Sequence, residues 1–158
     1  MYPSSSPCMI EFVTDSFHQE AAELTDDARR LLTELDRDLP GAAAASGECR
    51  PPLDVMETTD AVEVVVDVPG MSATSLRVAI HRNAVLVVGA KLAAATPPGS
   101  RFHLAERAYG RFARVVRLAG AIDSSRAQAR VDAGQLRIII PRLEDRRGRT
   151  IDVPVERG

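Results

Sequence analysis

The sequence predicts an all-β protein: an immunoglobulin-like antiparallel β-sandwich with an N-terminal helical arm and a flexible C-terminal extension. Short runs rich in β-branched residues, alternating with period two, recur at close intervals between residues 53 and 141. Turn-forming pairs such as Pro69-Gly70, Arg82-Asn83 and Ala133-Gly134 punctuate them. Helical periodicity is confined to residues 16–39, ahead of a proline-ended linker.

The opening residues carry Pro3, Pro7 and three serines around a small apolar patch at Ile10, Phe12 and Val13, which reads as a flexible arm with one sticky spot. From Ser16 the spacing changes. Phe17, Ala21, Leu24, Ala28, Leu31 and Leu35 fall at alternating four- and three-residue intervals and make one apolar stripe on a helix. Ser16 and Gln19 fit a capping box at its start, and Leu39-Pro40-Gly41 ends it. The stripe is narrow, and spacing alone does not choose between packing on the chain's own domain and packing on a partner or a second copy. Residues 42–52 are small, polar and proline-ended, so the arm is assigned to 1–50, the β-domain to 51–142 and the extension to 143–158.

Strands are expected at Leu53 to Glu57, at Val62 to Val68, at Leu76 to His81, from Val85 to Gly89 and from Phe112 to Leu118. The last two form a hairpin: Ala127, Ala129 and Val131 alternate with polar residues, Ala133-Gly134 turns the chain, and Leu136, Ile138 and Ile140 alternate until Pro141, which has no N–H for a ladder. Between Lys91 and Leu104 the connection is longer than a hairpin needs, and Phe102 gives that excursion something to bury. The charged tail regains apolar character at Ile151-Asp152-Val153, where two β-branched residues project from one side of an extended segment. That pattern suits a peptide that adds to another sheet, or else a last strand of the same domain.

Composition excludes several functions. The chain is 45% hydrophobic and 27% charged with a net charge of −2, which offers no bulk field for nucleic acid or an acidic membrane. Its most basic run, Arg142 to Arg149, is broken by Glu144 and Asp145 and holds no aromatic residue for base stacking. Cys8 and Cys49 make no C-x-x-C pair, so neither a disulfide framework nor a metal site is expected. The N-terminus has neither a basic n-region nor a long apolar h-region, and a cytoplasmic protein that does not enter the membrane is expected. Lys91 is the only lysine and sits in Ala90-Lys91-Leu92, which rules out a Gly-Lys-Ser/Thr phosphate loop. With His18, His81 and His103 scattered and no G-x-S-x-G, no catalytic residue, cofactor or enzyme activity is expected.

Several separated stretches, in order, resemble the small heat-shock proteins and their α-crystallin domain. Pro52 to Glu57 with Asp60 resembles the family's opening strand, and Val68-Pro69-Gly70-Met71 its L-P-G-x turn. Val85 to Gly89 resembles V-L-x-I-x-G, Glu106 to Phe112 resembles E-R-x-Y-G-x-F, and Ala129 to Leu136 resembles A-x-x-x-n-G-V-L with Gln135 in place of the aliphatic. The resemblance implies an ATP-independent holdase that binds partly unfolded client proteins and assembles as a homodimer and higher homo-oligomer. It implies that the long loop exchanges between subunits, with dimer contacts at Phe102, His103, Arg107 and Arg114, the last in an ion pair. It also implies that Ile151 and Val153, or in competition Val153-Pro154-Val155, dock in a neighbouring dimer's groove.

Groove candidates are Val78, Ile80, Ala129 and Val131, although alternation leaves open which face of each strand lines it. By the same resemblance the arm contributes client contacts through Ile10, Phe12, Val13, Phe17 and Leu24, without any W-D-P-F-like motif. The physics agrees with that reading, because short apolar patches on tethers bind weakly alone and effectively at high local concentration. The alternative is a non-enzymatic co-chaperone or adaptor sandwich that binds one defined protein partner.

Overall fold

The computed structural model describes residues 8–45, 47 and 49–143, with side chains from residue 19 onward. A long helix, α1 (Cys8–Asp38), precedes seven strands: β1 (Leu53–Glu57), β2 (Ala61–Asp67), β3 (Leu76–His81), β4 (Ala84–Lys91), β5 (Gly110–Arg117), β6 (Gln128–Asp132) and β7 (Gln135–Pro141). All pairings are antiparallel, giving one sheet ordered β1-β2-β7-β6 and a second ordered β3-β4-β5. The chain crosses between sheets after Pro69-Gly70, through a single 3-10 turn at Ala73–Ser75, and again through a turn at Ser124–Arg126. The sandwich expected from period-two alternation is thus present, with its hairpins where the turn pairs place them.

Alternation decides what fills the space between the sheets. Val62, Val64, Val66 and Val68 from the β2 side meet Leu136, Ile138 and Ile140 of β7, and both rows face Val85, Val87 and Phe112 of the second sheet. Fully burying each such side chain contributes about 1.5–3 kcal/mol, so this layer holds the sheets together. At the β6-β7 turn Ala133 and Gly134 both take positive φ, 47° and 78°, as a two-residue hairpin turn of the primed type requires.

Two expectations are corrected, and one that was left open is decided. The helix does not begin at Ser16: it continues back to Cys8, because no glycine or proline lies between Pro7 and Ser16, and the Ser16–Gln19 pair lies inside it. Residues 42–52 are not a free linker, since Ala42, Cys49 and Pro51 are buried against the domain. The stripe, whose partner spacing left open, packs on the chain's own sheet. Leu31 and Ala28 lie against Leu86, Val88 and Ala79, and Leu35 lies with Ala42 and Ala90.

β4 is consequently covered on both sides. Val85 and Val87 point into the sandwich, while Leu86, Val88 and Ala90 point to the helix. This explains why it is the most continuously apolar strand in the sequence, like a strand of a sheet buried on both faces.

Candidate functional site

The two sheets meet imperfectly along one edge, where β3 ends one sheet and β6 ends the other. An open groove of about 320 Å³ lies there, lined by Val78 and Ile80 of β3, Ala127 and Ala129, Ile138 of β7, and the Ser124-Ser125 turn. Register determines which faces take part. Val78 and Ile80 pair with Val87 and Val85, and Ala129 pairs with Ile138, so all three groove residues share the inward face with the core. Val131 follows the same register opposite Leu136 and packs against the core, so the structure gives it a place in the wall of the sandwich and does not include it in the groove lining. The turn at the groove's end is fixed by Asp123, whose carboxylate accepts the Ser125 backbone N–H at 3.1 Å.

Ala127, Ile138 and the two serines were not among the expected lining residues. Ala127 belongs to the same alternating series as Ala129, which was the available signal. Ile138 was also available, since the Ala133-Gly134 turn sets it opposite Ala129 in the β6-β7 hairpin. Ile151 and Val153, expected to occupy such a groove, lie outside the described residues.

The long loop from Leu92 to Tyr109 carries no strand. Phe102 and Leu104 are 71% and 73% exposed, and His103 is exposed beside them. Across the molecule, β1 forms an open sheet edge on which Val55 and Met56 are exposed. Arg107 stacks its guanidinium 5.0 Å from the centre of the Tyr109 ring. Arg114 donates to the backbone carbonyl of Pro51 in its own chain. Within one chain, Arg107 and Arg114 thus have partners other than Phe102 and His103.

Two glycines of the quoted motifs have steric causes. A Cβ on Gly89 would stand 2.7 Å from the Phe112 ring and 2.8 Å from Leu76. Gly110, at φ +124°, lies against the backbone of Gly47, where a side chain has no room.

A third surface was not anticipated from sequence: the outer face of β3-β4-β5, beneath α1. Its centre is apolar, with Ala79, Leu86 and Val88, and its border is basic, with Arg77, His81, Arg111 and Arg117. Each basic residue meets an acid of the helix. Arg117 pairs with Glu20 at 2.6 Å, Arg111 with Asp36 at 3.2 Å and Arg77 with Asp38 at 2.6 Å. His81 lies 3.0 Å from Glu23 and 3.6 Å from Asp27, and Arg82 reaches Glu23 at 3.5 Å. The order of these pairs runs α1 antiparallel to β3 and β5 and therefore along β4.

Asp27 also holds Arg30 at 3.0 Å, and hydrogen bonds from Arg30 to Asp27 and then to Glu34 raise the Arg30 pKa above its usual range. Leu24, expected as a client contact, is a buried residue of α1 itself; Ile10, Phe12, Val13 and Phe17 have side chains outside those described. The sequence shows only that Arg77 and His81 alternate with apolar residues and that acids border the helical stripe; the four basic residues are brought together by the order β3-β4-β5.

Among the described residues, no group of three or more His, Cys, Asp or Glu is arranged to hold a metal ion, and no helix is long and apolar enough to cross a membrane.

The chain is similar to several known proteins. The 18.9 kDa heat shock protein of Oryza sativa subsp. japonica is 34% identical over 115 residues, spanning 72% of this chain and 65% of that protein. The 17.7 kDa class II heat shock protein of Arabidopsis thaliana is 33% identical over 137 residues, covering 82% of this chain and 88% of that one. Heat shock protein 16.0 from Schizosaccharomyces pombe superposes with a TM-score of 0.57 at 25% identity, over 69% of this chain and all 100% of that one. Residues 54–156 match the family model described as Hsp20/alpha crystallin family, and the chain belongs to that family, the small heat-shock proteins.

Proposed function

We propose that this chain is a subunit of an ATP-independent cytoplasmic holdase, which binds partly unfolded proteins and keeps them from aggregating without making or breaking a covalent bond. The observation that carries this reading is the open apolar groove at Val78, Ile80, Ala129 and Ile138, in a chain that also carries the Ile151-x-Val153 segment suited to fill it. An extended peptide can enter between two sheet edges by strand addition, with its alternate side chains taken by the apolar floor. Burying Ile151 and Val153 contributes about 1.5–3 kcal/mol each, which holds within an assembly and releases on warming or competition.

Dimers form, in this reading, when the loop around Phe102 and His103 crosses to a second copy. The exposure of Phe102, Leu104, Val55 and Met56 supports it, since apolar side chains of this size gain by being covered. Arg107 and Arg114 then act near that interface, and the helical arm contributes client contacts.

The test is light scattering of a heat-labile client with the full chain and no ATP, together with the chain's mass in solution. Suppressed scattering and a large assembly that falls to dimers when residues 150–158 are removed are expected. A client that aggregates undiminished at equimolar chain overturns the holdase, and an assembly size indifferent to the truncation favours an adaptor for one defined partner.

A further inference from the structure

We propose that α1 is a displaceable mask over the outer face of β3-β4-β5, and that this face, once bared, docks acidic amphipathic helical segments of other polypeptides. The proposal deepens the holdase reading and rests on it for its biological setting.

The face is a template with two parts. An apolar centre of Ala79, Leu86 and Val88 is set within a basic border of Arg77, His81, Arg111 and Arg117. The chain's own helix fits it because it carries the complement, an apolar stripe bordered by Glu20, Glu23, Asp27, Asp36 and Asp38. Any segment with the same two features meets the same partners, whereas a basic amphipathic helix places like charges against the border.

The mask is graded along its length. Toward its C-terminal end Leu31, Leu35 and Ala42 are buried, with Leu32 and Leu39 packed beside them. Between Gln19 and Asp27 only Leu24 is buried, and charges make up most of the attachment. Partly exposed ion pairs are individually weak and screened by salt. The helix therefore lifts from the Gln19 side through Ala28 and Leu31, uncovering Leu86 and Val88, and stays anchored at Leu35, so that part of the face opens without the arm leaving the domain. The Asp36–Arg111 pair is single-pronged, with Asp36 Oδ1 and Arg111 Nε covered and unpaired, so the anchored end relies on its leucines.

The test uses the full chain, a Glu20→Gln/Glu23→Gln/Asp27→Asn variant, and a labelled peptide of residues 19–31, the stretch that lifts, as the acidic helix. The control peptide has its acids at 20, 23 and 27 replaced by lysine. The variant is expected to bind the acidic peptide about tenfold more tightly than the wild-type chain, since three neutralised acids remove several weak pairs from the mask, and to ignore the lysine peptide. Equal binding of both peptides, or no gain in the variant, overturns the proposal.

A second measurement needs no variant. Raising sodium chloride from about 50 to about 500 mM is expected to speed amide exchange in residues 19–31 of the wild-type chain by about tenfold relative to β4. Unchanged exchange overturns the latch. Client scattering judges the holdase separately: a chain that holds clients but never opens or takes the peptide overturns the mask alone, whereas a variant that opens and takes it, in a chain that holds no client, supports the mask and overturns the holdase.

Discussion

Phe112 on β5 lies directly across from Gly89 on β4, its ring occupying the space where a side chain on Gly89 would stand. Leu76 closes the same space from β3. Two motifs far apart in the sequence, one ending in glycine and the other in phenylalanine, are thus halves of a single packing contact.

Gly89→Ala tests that contact. Its backbone takes no positive φ, so the cost is steric: a methyl group forced between Phe112 and Leu76 in a filled core is expected to destabilise by about 1–3 kcal/mol. Thermal unfolding should show a midpoint lower by roughly 2–12 °C. An unchanged midpoint would mean that the ring moves aside freely.

The opposite sign is expected at the β6-β7 turn. Ala133 sits at φ 47°, where an alanine is strained, and Gly134 follows at 78°. Ala133→Asn, which suits that conformation, should stabilise by about 0.5–1 kcal/mol in a denaturant titration.

The groove is tested at Ala129, which is exposed and so tolerates change without upsetting the core. Ala129→Asp places a carboxylate opposite Ile138, where an apolar side chain is to dock. Mass measurement should show the same fall in assembly size as removing residues 150–158, and combining the two changes should add nothing. Additive effects would separate the groove from the tail.

Loop exchange is tested by Phe102→Ser with Leu104→Ser. Both side chains are exposed in the single chain, so its folding should be indifferent to them. The dimer should dissociate at least tenfold more readily in sedimentation, since two large apolar side chains no longer gain by burial. A dimer of undiminished affinity would place the interface elsewhere.

Leu35 of α1 is fully buried against Ala42 and Ala90. Leu35→Ala should cost about 2–5 kcal/mol of helix docking, read as lost amide protection in α1 while the strands remain protected.

The strands were legible because their burial is written as alternation: the series Val62, Val64, Val66 and Leu136, Ile138, Ile140 names the inward face without any structure. The groove was legible only in part. Val78, Ile80 and Ala129 could be named, but their common facing depends on register, and Ile138 follows only from the β6-β7 hairpin register that sets it opposite Ala129. The start of the helix was misplaced because a capping-box pair is also compatible with a helix interior when nothing upstream breaks it. The basic border went unseen because Arg77, His81, Arg111 and Arg117 are far apart along the chain and meet only when β3 and β5 flank β4.

β4 is hydrogen-bonded along both edges, to β3 and to β5, while its outward side chains lie under a helix. Lifting that helix would therefore expose oily side groups but no free amide row. Fibrous stacking needs such a row as its template, and the strand beneath the helix supplies none. Opening the proposed mask thus bares an adhesive patch without adding a strand edge to those the sandwich already has.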